Sequence, residues 1–322
     1  MFASLRNTIP RQLSRAYSTA PAGGKSGSGI LWASLATGAV LAGGYYYTRS
    51  KDSQGAAPAA SNEPLTAALD PKKFIAFKLK ESTPINHDTG HYRFELGPNQ
   101  VLGLDITSCI VVKAKIGSDE KPTIRPYTPV SPQDARGYFD LVVKRYPEGK
   151  MSSHIHSLKP GDELEIKGPI PKYPYKAGAL KEVGMIAGGS GITPMLQLIQ
   201  HVLEDPTDNT KLTLMFANKS EEDIVLRSTL DGYAKKYPEQ FKVHYVIDKA
   251  SDGWKGEVGY ITKELVQKYL PSADRSDVLV SVCGPPPMMK AISGPKAPDF
   301  SQGEVNGIFK ELGFTSQQVF KF

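Results

Sequence analysis

Hydrophobic positions recur at every second residue between positions 74 and 168. Phe74 to Leu79, His91 to Leu96, Ile110 to Ile116, Tyr138 to Val143 and Glu163 to Ile166 are short β-branched or aromatic runs parted by Gly, Pro, Asn and Asp. Strands this closely spaced, with almost no helical stretch between them, predict a small antiparallel barrel. After the proline-rich connector Pro169 to Gly178 the period changes. Val183 to Ala187 is continuously apolar, a glycine turn follows, and Thr193 to Glu204 carries Met195, Leu198, Ile199, Val202 and Leu203 at helical spacing. The unit recurs: Lys211 to Ala217 leads to a helix over Glu222 to Tyr237, Phe241 to Ile247 to one over Ile261 to Leu270, and Asp277 to Cys283 to one over Met288 to Ile292. Strands alternating with helices predict a doubly wound parallel sheet, whose ligands bind at the carboxyl ends of its strands.

The first 68 residues follow neither pattern. Residues 1–20 bear Arg, Ser and Thr but no acid, the composition of a mitochondrial transit segment, and a targeting segment is expected over 1–25. Ser26 to Thr48 holds no charged residue, and with Trp32 and Tyr45-Tyr46-Tyr47 near its ends it is expected to be a single transmembrane anchor. Basic residues on both sides leave its orientation open. Residues 49–68 are small, polar and Pro-interrupted, as a flexible linker would be. The barrel is then expected over 69–177 and the α/β domain over 178–322.

Charge sharpens this division. The chain of 322 residues carries a formal +6, yet residues 1–51 hold six Lys and Arg and no acid, so the remaining 33 basic and 33 acidic residues balance. A nucleic-acid binder would concentrate basic charge on its folded part, so none is expected as a partner. Two cysteines, Cys109 and Cys283, support neither a disulfide framework nor a thiolate metal site, and no metal is expected. His154 and His156 are read as solvated.

Four segments carry candidate chemistry, each where a strand should hand over to a loop or helix. Arg125-Pro126-Tyr127-Thr128 offers a bidentate guanidinium for phosphate, a ring-sized face and a hydroxyl. Gly149-Lys150-Met151-Ser152 opens an expected helix over Ser152 to Leu158, whose N-terminus suits phosphate oxygens. Gly188-Gly189-Ser190-Gly191-Ile192-Thr193-Pro194 departs from the dinucleotide fingerprint because Pro194 takes the third glycine's place. Cys283-Gly284-Pro285-Pro286-Pro287-Met288 ends a buried strand in a stiff turn. Taken singly, the first also fits a strand end with a surface Arg, Ser152 an N-cap, the glycines a tight turn and either cysteine simple packing.

Together and in this order the four segments resemble the ferredoxin-reductase superfamily, most closely the NADH–cytochrome b5 reductases, over roughly the last three quarters of the chain. The segment Asn86-His87-Asp88-Thr89 is also typical of that family. The resemblance implies a Greek-key barrel binding FAD and an α/β domain binding NADH. It assigns Arg125, Pro126, Tyr127 and Thr128 to the flavin and its pyrophosphate, with Thr128 near flavin N5, and Gly149, Lys150, Met151 and Ser152 to the pyrophosphate. Val143, Lys144 and Tyr146 would line the cofactor on the adjacent strand. Gly188, Gly189, Ser190, Gly191, Thr193 and Pro194 would approach NADH, and Cys283, Gly284, Pro285, Pro286 and Met288 would sit beside the nicotinamide. Thr128 and Cys283 are the residues expected at the reacting centre. Asp248, after the third strand, would disfavour a 2′-phosphate. The implied activity is hydride transfer from NADH to FAD and single-electron delivery to cytochrome b5, docked on a basic rim for which Lys150, Lys172 and Lys176 are candidates. The implied location is the mitochondrial outer membrane, or the intermembrane space if the anchor is cleaved. A diaphorase serving another acceptor or a quinone, and an inactive membrane-bound scaffold, are the alternatives.

Overall fold

The structure is a computed structural model that describes residues 64–118 and 120–322. The targeting segment and the anchor expected over residues 1–48 lie outside the described residues, as does most of the linker. No helix among the described residues is long and apolar enough to cross a membrane.

The first domain is built from β2 (Ile75–Pro84), β3 (Thr89–Glu95), β5 (Ser108–Ala114), β6 (Thr123–Tyr127), β7 (Tyr138–Lys144) and β8 (Glu163–Pro171), with a small parallel pair, β1 (Thr66–Ala67) and β4 (Gln100–Val101), beside them. The six strands run in the order β6-β5-β8-β2-β3-β7, every neighbouring pair antiparallel. Helix α1 (Lys150–Ser157) touches both edge strands, β6 and β7, and so covers the opening of the barrel. Alternation decides what fills the interior: Phe139, Leu141 and Val143 of β7 join Leu79, Phe94, Met151 and Ile155 in one apolar cluster. The Phe94 and Phe139 rings stack at 5.1 Å, and Phe77 meets Phe139 edge-on at 5.4 Å.

The expected connector from Pro169 is instead the last third of β8. Prolines are tolerated there because β2 pairs with β8 only as far as Ile166, leaving β5 as the sole partner beyond it. Helix α1 begins at Lys150, two residues before the expected start. The histidine reading is also corrected. His156 is half-buried, with Nε2 2.9 Å from the Val143 carbonyl and its ring against Tyr92, because α1 lays it over the end of β7.

The second domain holds β9 (Glu182–Gly188), α2 (Ile192–Glu204), β10 (Lys211–Asn218), α3 (Arg227–Lys236), β11 (Phe241–Ile247), β12 (Glu257–Val258), α4 (Lys263–Tyr269), β13 (Val278–Cys283), α5 (Pro286–Ile292), α6 (Gly307–Glu311) and β14 (Val319–Lys321). Its sheet is wholly parallel, in the order β12-β11-β10-β9-β13-β14. Both faces are covered, which explains the unbroken apolar strands. Val183, Met185 and Ala187 of β9 pack with α2 and α3, whereas Ile186 joins Val266 of α4, Met289 and Ile292 of α5 and Phe309 of α6. The single helix expected over Glu222 to Tyr237 is divided. A short 3-10 turn spans Glu221–Asp223, and α3 starts only after Leu226, whose φ of 59° lies in the left-handed region where a helix cannot propagate.

Candidate active site

The chain leaves β9 outward through β10, β11 and β12, then returns on the other side to β13 and β14. The strand order therefore reverses between β9 and β13, and a crevice opens at their carboxyl ends. The turns after these two strands pack against each other with little room. A Cβ on Gly191 would lie 2.1 Å from the Cys283 carbonyl oxygen, and one on Gly188 would lie 2.6 Å from the Met288 sulfur. Gly284 is equally tight, 2.8 Å from Met288 Cε. The dense glycine and proline spacing thus brings Gly188–Pro194 and Cys283–Met288 to one place. Pro286 and Pro287 sit in the first turn of α5 and Pro194 in that of α2, where a missing N–H costs nothing.

The barrel faces this crevice. Tyr146 and Ser190 share a hydrogen bond of 2.8 Å, joining the strand-to-helix loop of the barrel to the glycine loop of the second domain. Gln197 of α2 clasps the backbone of β5, accepting from Ser108 N–H at 3.1 Å and donating to its carbonyl at 3.2 Å. Lys144 reaches Asp88 at 2.6 Å and Asp223 at 3.3 Å, and the Asn86 amide donates to the Glu222 carbonyl at 3.0 Å. Burial alone would raise the Asp88 carboxyl, but hydrogen bonds from Lys144 and Thr89 hold it below the usual range. Burial would lower the Lys144 ammonium; Asp88 and Asp223 outweigh it and raise it. His87, Asp88 and Asp223 bring ligand-type atoms within 4.8 Å of one another, yet the ammonium already occupies both carboxylates.

A phosphate-sized cradle lies at the start of α1. No side chain caps its first turn, so its N–H groups and partial positive charge are aimed outward. Ser152 is not an N-cap: its hydroxyl donates to the Gly149 carbonyl at 2.9 Å and accepts from Tyr146 N–H at 3.1 Å, fastening the loop. Only glycine fits at 149, where a Cβ would lie 2.4 Å from that hydroxyl. Arg125 is exposed on the neighbouring edge strand β6 and spends one donor on the Ile124 carbonyl at 2.8 Å, leaving the rest of its fork. Half-buried Tyr127 has its phenol pushed up to about 12 by burial, and the half-buried Thr128 hydroxyl makes no hydrogen bond among the described residues. An anion-binding cradle, an aromatic wall and a spare hydroxyl fit the pyrophosphate and ring of a flavin nucleotide.

The side chains of two further expected residues lie elsewhere in the fold. Val143 points into the barrel core, because its neighbours Val142 and Lys144 take the opposite face of β7; only its carbonyl is engaged, by His156. Asp248 is exposed at the end of β11, separated from β9 by β10, and so stands at the far end of the crevice from Cys283. Near it, Asn218 ends β10 with both amide atoms buried and unpartnered among the described residues. Surrounding atoms push the Cys283 thiol up to about 11, so it stays neutral at ordinary pH. The contacts of Gln197 with Ser108 and of Lys144 with Asp88 and Asp223 were not read from sequence, because each joins common polar residues distant in the chain.

Comparisons with known proteins agree with this arrangement. The family model described as an oxidoreductase FAD-binding domain matches residues 76–175, and that described as an oxidoreductase NAD-binding domain matches residues 185–294. The chain is 48% identical over 306 residues to a NADH-cytochrome b5 reductase-like protein of Arabidopsis thaliana, covering 92% of each chain. It is 46% identical over 298 residues to NADH-cytochrome b5 reductase 2 of Yarrowia lipolytica, covering 91% of this chain and 99% of that one. Among solved structures, the cytochrome b5 reductase domain of Ulva prolifera nitrate reductase superposes with a TM-score of 0.69 at 33% identity, over 80% of this chain and all of that domain.

Proposed function

The chain belongs to the NADH–cytochrome b5 reductase family and carries its FAD-binding and NAD-binding domains, and from this premise we propose that it moves electrons from NADH through FAD to cytochrome b5. Bound FAD supplies the conversion of a two-electron hydride into single-electron delivery. The chain's own residues hold and orient. Arg125 and the open first turn of α1 neutralise the pyrophosphate, Tyr127 offers a wall for the ring, and the Thr128 hydroxyl is left to hydrogen-bond it. The loops Gly188–Pro194 and Cys283–Met288 receive the nicotinamide nucleotide, with a neutral Cys283 thiol shaping the site. Asp248 disfavours a 2′-phosphate electrostatically.

The observation that carries this reading is the Tyr146–Ser190 hydrogen bond, which unites a flavin-type and a nicotinamide-type loop in one crevice. Purified protein should show a visible flavin spectrum that NADH bleaches anaerobically, and should reduce purified cytochrome b5 faster with NADH than with NADPH. A colourless protein that takes up no FAD would refute it.

The exposed Lys172 and Lys176, with Lys150 at the start of α1, are the proposed basic rim for the acidic acceptor. Charge reversal at Lys172 or Lys176 should slow cytochrome b5 reduction and weaken its salt dependence while leaving reduction of a small neutral acceptor unchanged. The N-terminal composition supports an anchored protein of the mitochondrial outer membrane. Resistance of the organelle-bound protein to alkaline extraction, with loss of that resistance on deleting residues 26–48, checks it.

A further inference from the structure

The loop from Ser293 to Asn306, between α5 and α6, is fastened by the end of the chain. Lys321 of β14 is buried, and its ammonium donates to the carbonyls of Pro295 at 3.0 Å and Glu304 at 2.7 Å. Gln302 accepts from Lys321 N–H at 2.6 Å and donates to the Lys321 carbonyl at 3.1 Å. Asn306 N–H closes the base of the loop on the Ser293 carbonyl at 2.9 Å. An ammonium spent on two backbone carbonyls is an expensive fastener, since burial works against its charge. What this fastening holds in place is Lys296.

Lys296 is half-buried and follows Pro295, whose carbonyl Lys321 holds at 3.0 Å, while Lys321 itself pairs with Val282 next to Cys283; it forms no ion pair with a carboxylate among the described residues, and the groups that act on it electrostatically are Lys172, Cys283, Cys109 and Lys321. Cys109 and Lys172 belong to the barrel side, on and just after strands β5 and β8, and Cys283 ends β13 at the crevice. This is therefore where the two domains' sites meet. On the proposed reading of the crevice, a nicotinamide ring in contact with a barrel-bound flavin would lie at this end, with the adenosine half toward Asn218 and Asp248.

We propose that Lys296 discriminates between the two redox states of the nicotinamide, its ammonium disfavouring the cationic ring of NAD+ while leaving the neutral ring of NADH untouched, so that product departs more readily than substrate. The inference rests on the proposed reading of the crevice as the NADH site. Like charges in a partly buried crevice are screened less than on an open surface, and their repulsion over a few ångströms corresponds to about a five- to tenfold change in affinity.

The test uses the FAD-loaded full chain and flavin difference spectra, titrating NAD+ and, separately, 1,4,5,6-tetrahydro-NAD, whose ring is neutral and cannot donate a hydride. Lys296→Gln should tighten NAD+ about five- to tenfold and leave the neutral analogue within about twofold. Lys296→Arg, which keeps the charge, should match the parent, and Lys321→Met, which frees the loop, should shift NAD+ in the same direction by less. If Lys296→Gln leaves NAD+ unchanged, weakens it, or moves both ligands together, the proposal is overturned. A parent holoprotein that binds neither nucleotide would instead sink the NADH-site reading beneath it.

Discussion

Replacing Asp140 by Asn should cost the barrel more than any single surface change, and the reason is legible in its contacts. Asp140 lies directly opposite Arg93 across β7 and β3, accepting from its Nε at 2.8 Å and Nη2 at 2.9 Å, with His91 Nε2 at 3.3 Å from the same carboxylate. Its backbone also holds the segment that follows Thr128, receiving Val130 N–H at 2.9 Å and donating to the Ser131 hydroxyl at 3.2 Å. Removing one member of a buried pair costs ~3–5 kcal/mol because the other charge is stranded. The Arg93 side chain is 30% exposed and keeps Glu81 at 3.4 Å, so solvent and that second carboxylate reduce the expectation to about 2–3 kcal/mol. For a folded part of this size that is roughly 5–10 °C in Tm. Burial would raise the Asp140 carboxyl, but Arg93 and His91 hold it below its ordinary 3.8. Its contribution is therefore present above pH 3.8 and lost as pH falls through the folded value. Calorimetry and urea melts of the parent and Asp140→Asn from pH 7 to pH 3 should show a gap that narrows at the acid end. A loss under about 0.5 kcal/mol at pH 7, the size of an ordinary surface change, or a gap that persists undiminished at pH 3, would refute the reasoning.

Gly191→Ala keeps an ordinary φ of −65° but drives a methyl into the Cys283 backbone, so the turn must part from β13; a loss of about 1–3 kcal/mol is expected in melts, with NADH affinity falling more than FAD affinity in parallel titrations. Asp248→Ala should raise kcat/KM for NADPH by about tenfold through loss of repulsion toward the 2′-phosphate; no gain with NADPH would remove Asp248 from that role. Lys144→Met leaves Asp88 and Asp223 facing one another without their shared cation, and faster amide exchange across residues 86–90 and 220–226 should report looser domain docking.

How much of this was legible depended on the range of the interaction. The alternation in β8, with Leu164 and Ile166 buried and Glu163 and Glu165 exposed, and the continuous run in β9 announced a one-faced barrel strand and a two-faced sheet strand from adjacent residues alone. The four motif segments were equally visible because tight turns demand Gly and Pro locally, as Gly149, Gly188 and Gly191 illustrate. Val143 turns its side chain to the barrel core and Lys144 turns its own the other way, since in a strand one step reverses the face. The prolines of β8 were taken for a connector because nothing nearby in sequence says that β2 stops pairing at Ile166. The helix start at Arg227 rested on one left-handed residue, Leu226, which is neither Gly nor Asn.

The order of residues by itself therefore determined the two kinds of domain, the loops that face the cofactors and the family to which they belong, since periodicity and turn chemistry act over a few residues. Only the folded chain decided which of those residues share a crevice and what charge they meet there. Lys144 between Asp88 and Asp223, Gln197 on Ser108, and Lys321 on the carbonyls of Pro295 and Glu304 all join positions well separated in the chain. Such contacts depend on how strands pair and sheets stack, and no short window of sequence contains that information.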